Sequence, residues 1–127
     1  MKLIIAGGRK FDNYTLLKSE VNKFIQFHND TNITVISGGA TGADNLGERY
    51  ARENNLILSR KNADWNKYGR AAGPIRNEEM AKEGTHLIAF WNGSKVRSGT
   101  YNMICIAQKY NLIYRVITTA TTQSSLF

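Results

Sequence analysis

The amino-acid sequence predicts an α/β fold in a single domain, with a five-stranded, mostly parallel sheet and helices on both faces. Short apolar runs alternate with segments of helical periodicity along the whole chain of 127 residues. The apolar runs are hydrophobic at consecutive positions, as in strands buried on both faces. A chain of this length suffices for one compact core, so we expect helices to connect neighbouring parallel strands.

Three strands and two helices are predicted in the first half of the chain. Residues 2–6 form an apolar run closed by two glycines, and residues 13–28 carry apolar side chains at helical spacing. A second strand over residues 33–37 is followed by a helix over residues 44–54. The run LILS, at residues 56–59, predicts the third strand.

The second half begins with a long predicted loop. It leads to Pro74, which suits the first turn of a helix that ends near residue 82. Residues 85–90 predict a fourth strand, residues 100–110 a helix, and residues 112–117 a fifth strand. We therefore predict a domain over residues 1–117.

The last ten residues, 118–127, are rich in Thr and Ser and carry no charged side chain. This composition predicts a loose C-terminal tail or a final edge segment. Leu126 and Phe127 are its candidate docking points.

Glycine-rich segments follow three of the predicted strands. In the commonest topology for such a chain, the first and fourth strands are neighbours, and ligands bind beyond their carboxyl ends. All three segments fall at that end of the sheet: Gly7-Gly8-Arg9, Gly38-Gly39-Ala40-Thr41-Gly42, and Asn92-Gly93 through Ser98-Gly99-Thr100.

Glycine-rich turns at helix starts are suited to binding anions. Glycine lets a ligand approach the backbone closely, and the first amides of a helix point outward. SGGATGAD and SGTYN each predict such a seat. Neither has the Gly-Lys-Ser/Thr of a nucleoside-triphosphate-hydrolysing loop, and the triple-glycine spacing of classical dinucleotide sites is absent. Simple triphosphate hydrolysis and nicotinamide redox chemistry therefore lose most of their support.

Cationic residues concentrate at the same predicted rim. The formal charge is +7, which favours an anionic partner without choosing among nucleotides, nucleic acids and acidic surfaces. Arg9 and Arg76 are placed to present planar forks to a phosphate or carboxylate, with solvated surface charges as the alternative. Nine of the 17 Lys and Arg residues lie in or next to these loops: Arg9, Lys10, Arg60, Lys61, Lys67, Arg70, Arg76, Lys95 and Arg97.

The loop above the third strand offers groups for a nucleoside. Asp64 has the chemistry to grip ribose hydroxyls, and a base could stack on Trp65 or Tyr68, although Trp65 equally suits a loop anchor. Asp44 is expected to cap its helix, to contact a ribose, or both.

Other features exclude classes of site. The two histidines and one cysteine give no metal-ligand set, so no metal is predicted, and the apolar neighbours of Cys105 predict a buried thiol. No run approaches the roughly 20 apolar residues of a membrane span, and the N-terminus does not resemble a signal peptide. We expect a soluble, cytoplasmic protein that needs no cofactor.

Four segments together resemble a known family. GGRKFDNY, ISGGATGAD, ADWNKYGRAAGPIRNEEM and IAFWNGSKVRSGT have the order and spacing typical of the YspA-like branch of the SLOG superfamily, named after the Smf/DprA and Lonely Guy proteins. The resemblance spans roughly residues 3–117. It implies a Rossmann-like fold, a pocket for nucleotide-derived molecules and, in many members, sensing or sequestration of such signals in bacterial and phage conflict systems.

The resemblance also implies a set of ligand-binding residues. Carried onto this sequence, they are Gly7, Gly8, Arg9, Gly38, Gly39, Ala40, Thr41, Gly42, Asp44, Asp64, Trp65, Arg76, Asn77, Gly93, Ser98, Gly99 and Thr100.

One departure bears on activity. Lonely Guy enzymes carry a catalytic glutamate three residues after the threonine of their glycine motif, and this sequence has Met103 there. The leading hypothesis is therefore binding without catalysis, with a nucleotide-derived small molecule as partner. One alternative is a hydrolase or transferase of N-glycosidic bonds, with Asp64 as the candidate acid. Another is single-stranded nucleic-acid binding. Relatives also imply a homo-oligomer.

Overall fold

The computed structural model describes residues 1–119 as five parallel strands and five α-helices. The elements, in chain order, are β1 (Lys2–Gly7), α1 (Tyr14–His28), β2 (Thr34–Ser37), α2 (Ala43–Glu53), β3 (Ile57–Arg60), α3 (Trp65–Tyr68), α4 (Ala72–Glu83), β4 (His86–Trp91), α5 (Gly99–Lys109) and β5 (Ile113–Thr118). A 3-10 turn, Gly69–Ala71, joins α3 to α4.

The sheet confirms the predicted fold class. Its strand order is β3-β2-β1-β4-β5, and every pair of neighbours is parallel. Strands β1 and β4 are adjacent, as predicted, with Gly7 opposite Phe90 at their carboxyl ends. Chain order reverses between these strands, so the connections on their two sides diverge and leave a crevice above the sheet.

Two apolar layers enclose the sheet, because successive side chains of a strand point to opposite faces. Leu3 and Ile5 of β1 pack in one layer with apolar residues of α1 and α2. Ile4 and Ala6 pack in the other layer with residues of α4 and α5. The helices are held to the sheet mainly by this burial, which contributes about 25 cal/mol for each Å² of apolar surface.

Two local predictions differ from the structure. The predicted long loop contains α3 and the 3-10 turn, and β5 continues to Thr118, one residue into the predicted tail. Residues 120–127, with the proposed docking points Leu126 and Phe127, lie outside the described residues. No helix among residues 1–119 has the length and apolar character needed to cross a membrane.

The prediction for Cys105 was wrong, because its side chain is exposed. Its sequence neighbours Ile104 and Ile106 are buried. On a helix, however, a residue shares its face with positions three and four away, not with adjacent ones. Tyr101 is half-buried and Gln108 is exposed, so Cys105 lies on a solvent-accessible face of α5.

Candidate functional site

A cleft of about 1490 Å³ opens at the carboxyl ends of the strands. Ala6 and Gly7 of β1, Phe90 of β4 and Thr118 of β5 form its floor. Its position coincides with the reversal of chain order, where open parallel sheets bind ligands. Its volume exceeds the roughly 300–1,000 Å³ of common small-molecule pockets.

Most of the predicted binding residues line this cleft. Thirteen of the 17 do so: Gly7, Gly8, Arg9, Gly38, Gly39, Ala40, Asp44, Trp65, Arg76, Asn77, Ser98, Gly99 and Thr100. Thr41, Gly42, Asp64 and Gly93 are not among its lining residues.

The turn between β2 and α2, here called the α2 turn (residues 38–42), differs from the bare seat predicted for it. The Gly39 amide donates to the Ser37 hydroxyl at 3.0 Å, and the Ala40 amide donates to the Asp44 carboxylate at 3.1 Å. At the start of α2, the Ala43 amide donates to the Gly8 carbonyl at 3.2 Å. The chain's own atoms therefore occupy three donors of the predicted anion seat.

Glycines of the α2 turn make room for the protein itself. A Cβ on Gly38 would lie 2.5 Å from Arg76 Nη1 and 2.8 Å from Asp44 Oδ2. Gly42 has a φ of +81°, and a Cβ on it would overlap the backbone of Gly8 and Arg9. Substitution of Gly42 therefore disturbs the fold as well as any binding at this turn.

Asp44 does not cap α2 as expected. Gly42 occupies the N-cap position, where no side chain accepts a hydrogen bond, and the Asp44 carboxylate turns back to Ala40. Burial raises the pKa of Asp44 to about 6, against the opposing effects of the Ala40 amide and the Arg76 charge. The cleft thus contains a partly buried carboxyl group with a raised pKa.

Arg76 and Asn77 of α4 connect the α2 turn to the start of α5. The Nη1 of Arg76 donates to the Gly38 carbonyl at 2.7 Å, and its Nε donates to Asn77 Oδ1 at 3.0 Å. Burial lowers the pKa of the Arg76 guanidinium, although Asp44 opposes this effect. Buried Asn77 in turn donates to Asn102 Oδ1 at 2.8 Å and, more weakly, to the Gly99 carbonyl at 3.4 Å.

The segment between β4 and α5, here called the α5 turn (residues 92–100), is more open. Ser98 caps α5, and its hydroxyl accepts from the Tyr101 amide at 3.0 Å. The amides of Gly99 and Thr100 donate to no acceptor within residues 1–119. A Cβ on Gly93 or Gly99 would meet no atom within 4 Å. This turn keeps the free amides and the space that an anion needs.

Positive charge collects around the cleft. Its cationic lining residues are Arg9, Lys10, Arg70, Arg76, Lys95 and Arg97, and its acidic ones are Asp12 and Asp44. None of the six cations has a carboxylate within 4 Å among the described residues. By contrast Arg60 and Lys61, two other cations assigned to the rim by sequence, are engaged by Glu48 and Glu83.

Aromatic side chains complete the lining. Trp65 is 50% exposed and lines the cleft. Sequence reasoning missed Phe11, which stacks on Phe90 with ring centroids 5.0 Å apart, and Tyr101, which stacks on Trp91 at 5.6 Å. The signal that could have found them was their position, since both lie within two residues of a predicted binding residue, Arg9 or Thr100.

Asp64 lies beside this cleft but is not among its lining residues. Its carboxylate accepts from the Lys67 amide at 3.1 Å and caps α3. It lines an adjoining hollow of about 210 Å³, which shares Asn62, Ala63 and Arg76 with the cleft. Met103, at the position of the Lonely Guy glutamate, is buried in the core.

The chain is similar to proteins of one family. The family model for YspA, cpYpsA-related SLOG proteins matches residues 1–68. The Gene 61 protein of Mycobacterium phage D29 is 31% identical over 114 residues, which cover 85% of this chain and 89% of that protein.

The fold is similar to a solved structure, that of DNA processing protein A (DprA) from Streptococcus pneumoniae. The TM-score is 0.69 and the identity 18%, over 95% of this chain and 51% of that protein, so the chain spans about half the length of that protein. The family model and the Gene 61 protein each match more than half of the chain in sequence. The chain therefore belongs to the YspA, cpYpsA-related SLOG family.

Proposed function

We propose that the cleft binds a nucleotide-derived small molecule, with a phosphate group at the α5 turn and without turnover. Membership of the SLOG family supports nucleotide-related or nucleic-acid binding in general. One observation supports the narrower proposal. In the described chain, six cationic side chains without carboxylate partners line the same cleft as the free amides of the α5 turn.

The charges favour an anionic ligand strongly enough for useful affinity. Each hydrogen bond to a charged group contributes roughly 1.5–3 kcal/mol, and a helix start adds roughly 0.3–2 kcal/mol. Arg9, Lys95 and Arg97 have no carboxylate to displace among residues 1–119 before they meet a phosphate. Two such contacts and the α5 helix start contribute roughly 3–8 kcal/mol toward the about 8.2 kcal/mol of micromolar binding, and stacking of a base adds to them.

The aromatic lining suits the base of such a ligand. Trp65, Phe11 and Tyr101 offer flat surfaces on different walls of the cleft. An adenine or guanine nucleotide, an ADP-ribose-like compound and a cyclic nucleotide all combine a stacking base with phosphate. We propose sensing or sequestration of such a signal in a bacterial or phage conflict system, which the phage origin of the Gene 61 protein favours.

Binding is preferred to catalysis because of where the acids lie. Cleavage of a glycosidic bond needs a carboxylate that acts on the leaving base or on the anomeric carbon, which a carboxylate bonded to the ribose hydroxyls does not provide. Met103 is buried where the Lonely Guy enzymes carry their glutamate, and Asp64 is engaged in capping α3 outside the cleft. Chromatography of AMP, GMP and NAD after incubation tests this preference. Released base would make the protein an enzyme.

Single-stranded nucleic acid is the second candidate. The observation that favours it is the exposed pair Trp65 and Tyr68, with Lys67 positioned over the Tyr68 ring at 5.0 Å. Aromatic rings beside cations are typical of single-strand grooves. Many phosphate contacts would make the affinity fall steeply with salt, whereas a single phosphate in a cleft responds much less.

Calorimetric titration with AMP, ADP, ADP-ribose, cyclic AMP, their guanine counterparts and a short oligonucleotide tests the proposal. We expect saturable micromolar binding of at least one mononucleotide, and a roughly tenfold or larger loss in Arg9→Ala or Arg97→Ala. Arg52→Ala is the matched control, because Arg52 is exposed in the last turn of α2 at the other end of the molecule. Equal losses in all three variants, or binding of the oligonucleotide alone, would contradict the proposal.

The family resemblance also leads us to propose a homo-oligomer. Sedimentation equilibrium across a range of protein concentrations, with and without the bound nucleotide, tests this directly. A monomer at all concentrations would contradict it.

A further inference from the structure

The Asp44 carboxylate lies where the α2 turn faces the cleft. It accepts one hydrogen bond among the described residues, from the Ala40 amide. A carboxylate has two oxygens and about four acceptor sites. Within residues 1–119 the other Asp44 oxygen accepts from no donor, yet it is not among the fully buried unsatisfied atoms. Acceptor capacity therefore stays accessible from the cleft.

This arrangement disfavours a second phosphate beside Gly39 and Ala40 of the α2 turn. The Gly39 and Ala40 amides already donate to the chain's own oxygens. A phosphate placed there would face the Asp44 charge at short range, where like charges repel. A group that meets Asp44 must instead donate hydrogen bonds. In a nucleotide the donors nearest the 5′-phosphate are the ribose hydroxyls.

The two turns are close enough to share one nucleotide. Consecutive α4 residues join them, because Arg76 donates to the Gly38 carbonyl and Asn77 donates to the Gly99 carbonyl. Arg76 and Asn77 are also bonded to each other at 3.0 Å. Two consecutive residues of α4 therefore bridge the α2 and α5 turns, and both turns line the same cleft, so one ligand can contact both.

On the basis of the proposed function, we propose that Asp44 determines the specificity of the cleft for ribonucleotides. Its carboxylate accepts hydrogen bonds from the ribose hydroxyls, while the phosphate lies at the α5 turn. The ligand is thus a ribosyl compound with one anionic end at α5 and a neutral hydroxyl-bearing part at α2. Deoxyribose at this position leaves the carboxylate without its donors.

The experiment compares AMP, ADP and GMP with their 2′,3′-dideoxy counterparts by calorimetry. We expect the wild-type protein to prefer the ribose form by about 10- to 100-fold, the value of one hydrogen bond to a charged group. In Asp44→Asn the amide oxygen still accepts from Ala40, but the charge is gone. Ribonucleotide affinity then falls about tenfold, and the preference shrinks to within about threefold.

Asp12→Asn is the matched control, since Asp12 is the other acidic residue of the cleft and its side chain bonds to no described group. It should change the affinity for both sugar forms equally. Tighter ribonucleotide binding in Asp44→Asn, or equal binding of both sugar forms by the wild-type protein, would overturn the inference while leaving the proposed function intact. Absence of all nucleotide binding would overturn the proposed function as well. The wild-type comparison needs no variant, so it decides even if Asp44→Asn misfolds.

Discussion

The α2 turn and the α5 turn are both glycine-rich starts of helices, yet they use their glycines differently. Positions 38 and 42 of the α2 turn have no room for a Cβ, because side chains or backbone of the same chain fill the space. At positions 93 and 99 of the α5 turn, an added Cβ would have no atom within 4 Å. The Gly39, Ala40 and Ala43 amides are bonded internally, whereas the Gly99 and Thr100 amides have no acceptor in the described part of the chain.

The difference teaches that a glycine-rich sequence has two physical uses. At the α2 turn, absent side chains let Asp44, Arg76 and the Gly8 carbonyl approach the backbone. At the α5 turn, absent side chains leave space that the protein does not fill. We therefore expect substitutions at the first turn to affect stability, and substitutions at the second to affect binding.

Gly42→Ala should give the largest effect. The new Cβ overlaps the Gly8 and Arg9 backbone, and the φ of +81° disfavours any L-residue. We expect a loss of about 2–5 kcal/mol in the free energy of unfolding, measured by urea denaturation. Gly99→Ala is the control and should change stability by less than about 0.5 kcal/mol. Similar losses in both variants would remove the distinction between the turns.

Asp44→Asn should stabilise the protein at neutral pH. The folded pKa of about 6 lies above the ordinary aspartate value of 3.8, so the folded state holds a proton that the unfolded state releases. Ionised Asp44 therefore lowers stability progressively between about pH 4 and pH 6. The charges that act on Asp44 are those of Arg76 in α4, Arg9 in the turn after β1, and Glu48 in α2.

We expect Asp44→Asn to gain about 1–3 kcal/mol in the free energy of unfolding above pH 6, with the gain vanishing near pH 4. Urea denaturation of both proteins across this range measures it. A variant less stable than the wild type at pH 7 would show that the Asp44 charge holds the α2 turn together.

Gly99→Val sharpens the other side of the comparison. The valine side chain enters open space at the start of α5, so folding is little affected. It then stands beside the free amides and blocks the approach of a phosphate. We expect nucleotide affinity to fall at least tenfold, about 1.4 kcal/mol, with the unfolding curve unchanged. Unchanged affinity would place the phosphate elsewhere.

Alkylation of Cys105 should report ligand binding with a smaller effect. It is the single cysteine of the chain, it is exposed, and it lines the cleft one helical turn after Tyr101. We expect a bound nucleotide to slow its reaction with iodoacetamide by a few-fold, because the ligand restricts access to the α5 wall. Mass spectrometry of the modified protein against time measures the rate. Protection by inorganic sulfate to the same extent would point to a general salt effect.

The fold was predictable because it depends on local patterns. Consecutive apolar residues in β1 and β4 indicated burial on both faces, and the glycines after these strands marked their ends. Capping of α3 by Asp64 was also readable, since an aspartate three residues before a bonded amide is a common helix start.

The internal bonding of the α2 turn was not predictable in this way. It depends on Arg76, which is 38 residues from its acceptor Gly38, and on Gly8, whose carbonyl reaches Ala43 from another turn. Whether a backbone amide is free depends on such distant partners, which a sequence pattern does not specify. The exposure of Cys105 was readable from the positions three and four residues away.

The adjacency of β1 and β4 makes the cleft a joint between the two halves of the chain. Gly7 and Phe90 meet at its floor, although the first belongs to the segment matched by the family model and the second does not. A ligand bound there contacts both halves of the chain. At a free concentration of one hundred times its dissociation constant, it would raise the free energy of unfolding by about 2.7 kcal/mol. Truncation after β3 would keep the SGGATGAD motif but remove β4 and α5, which form the other side of the cleft.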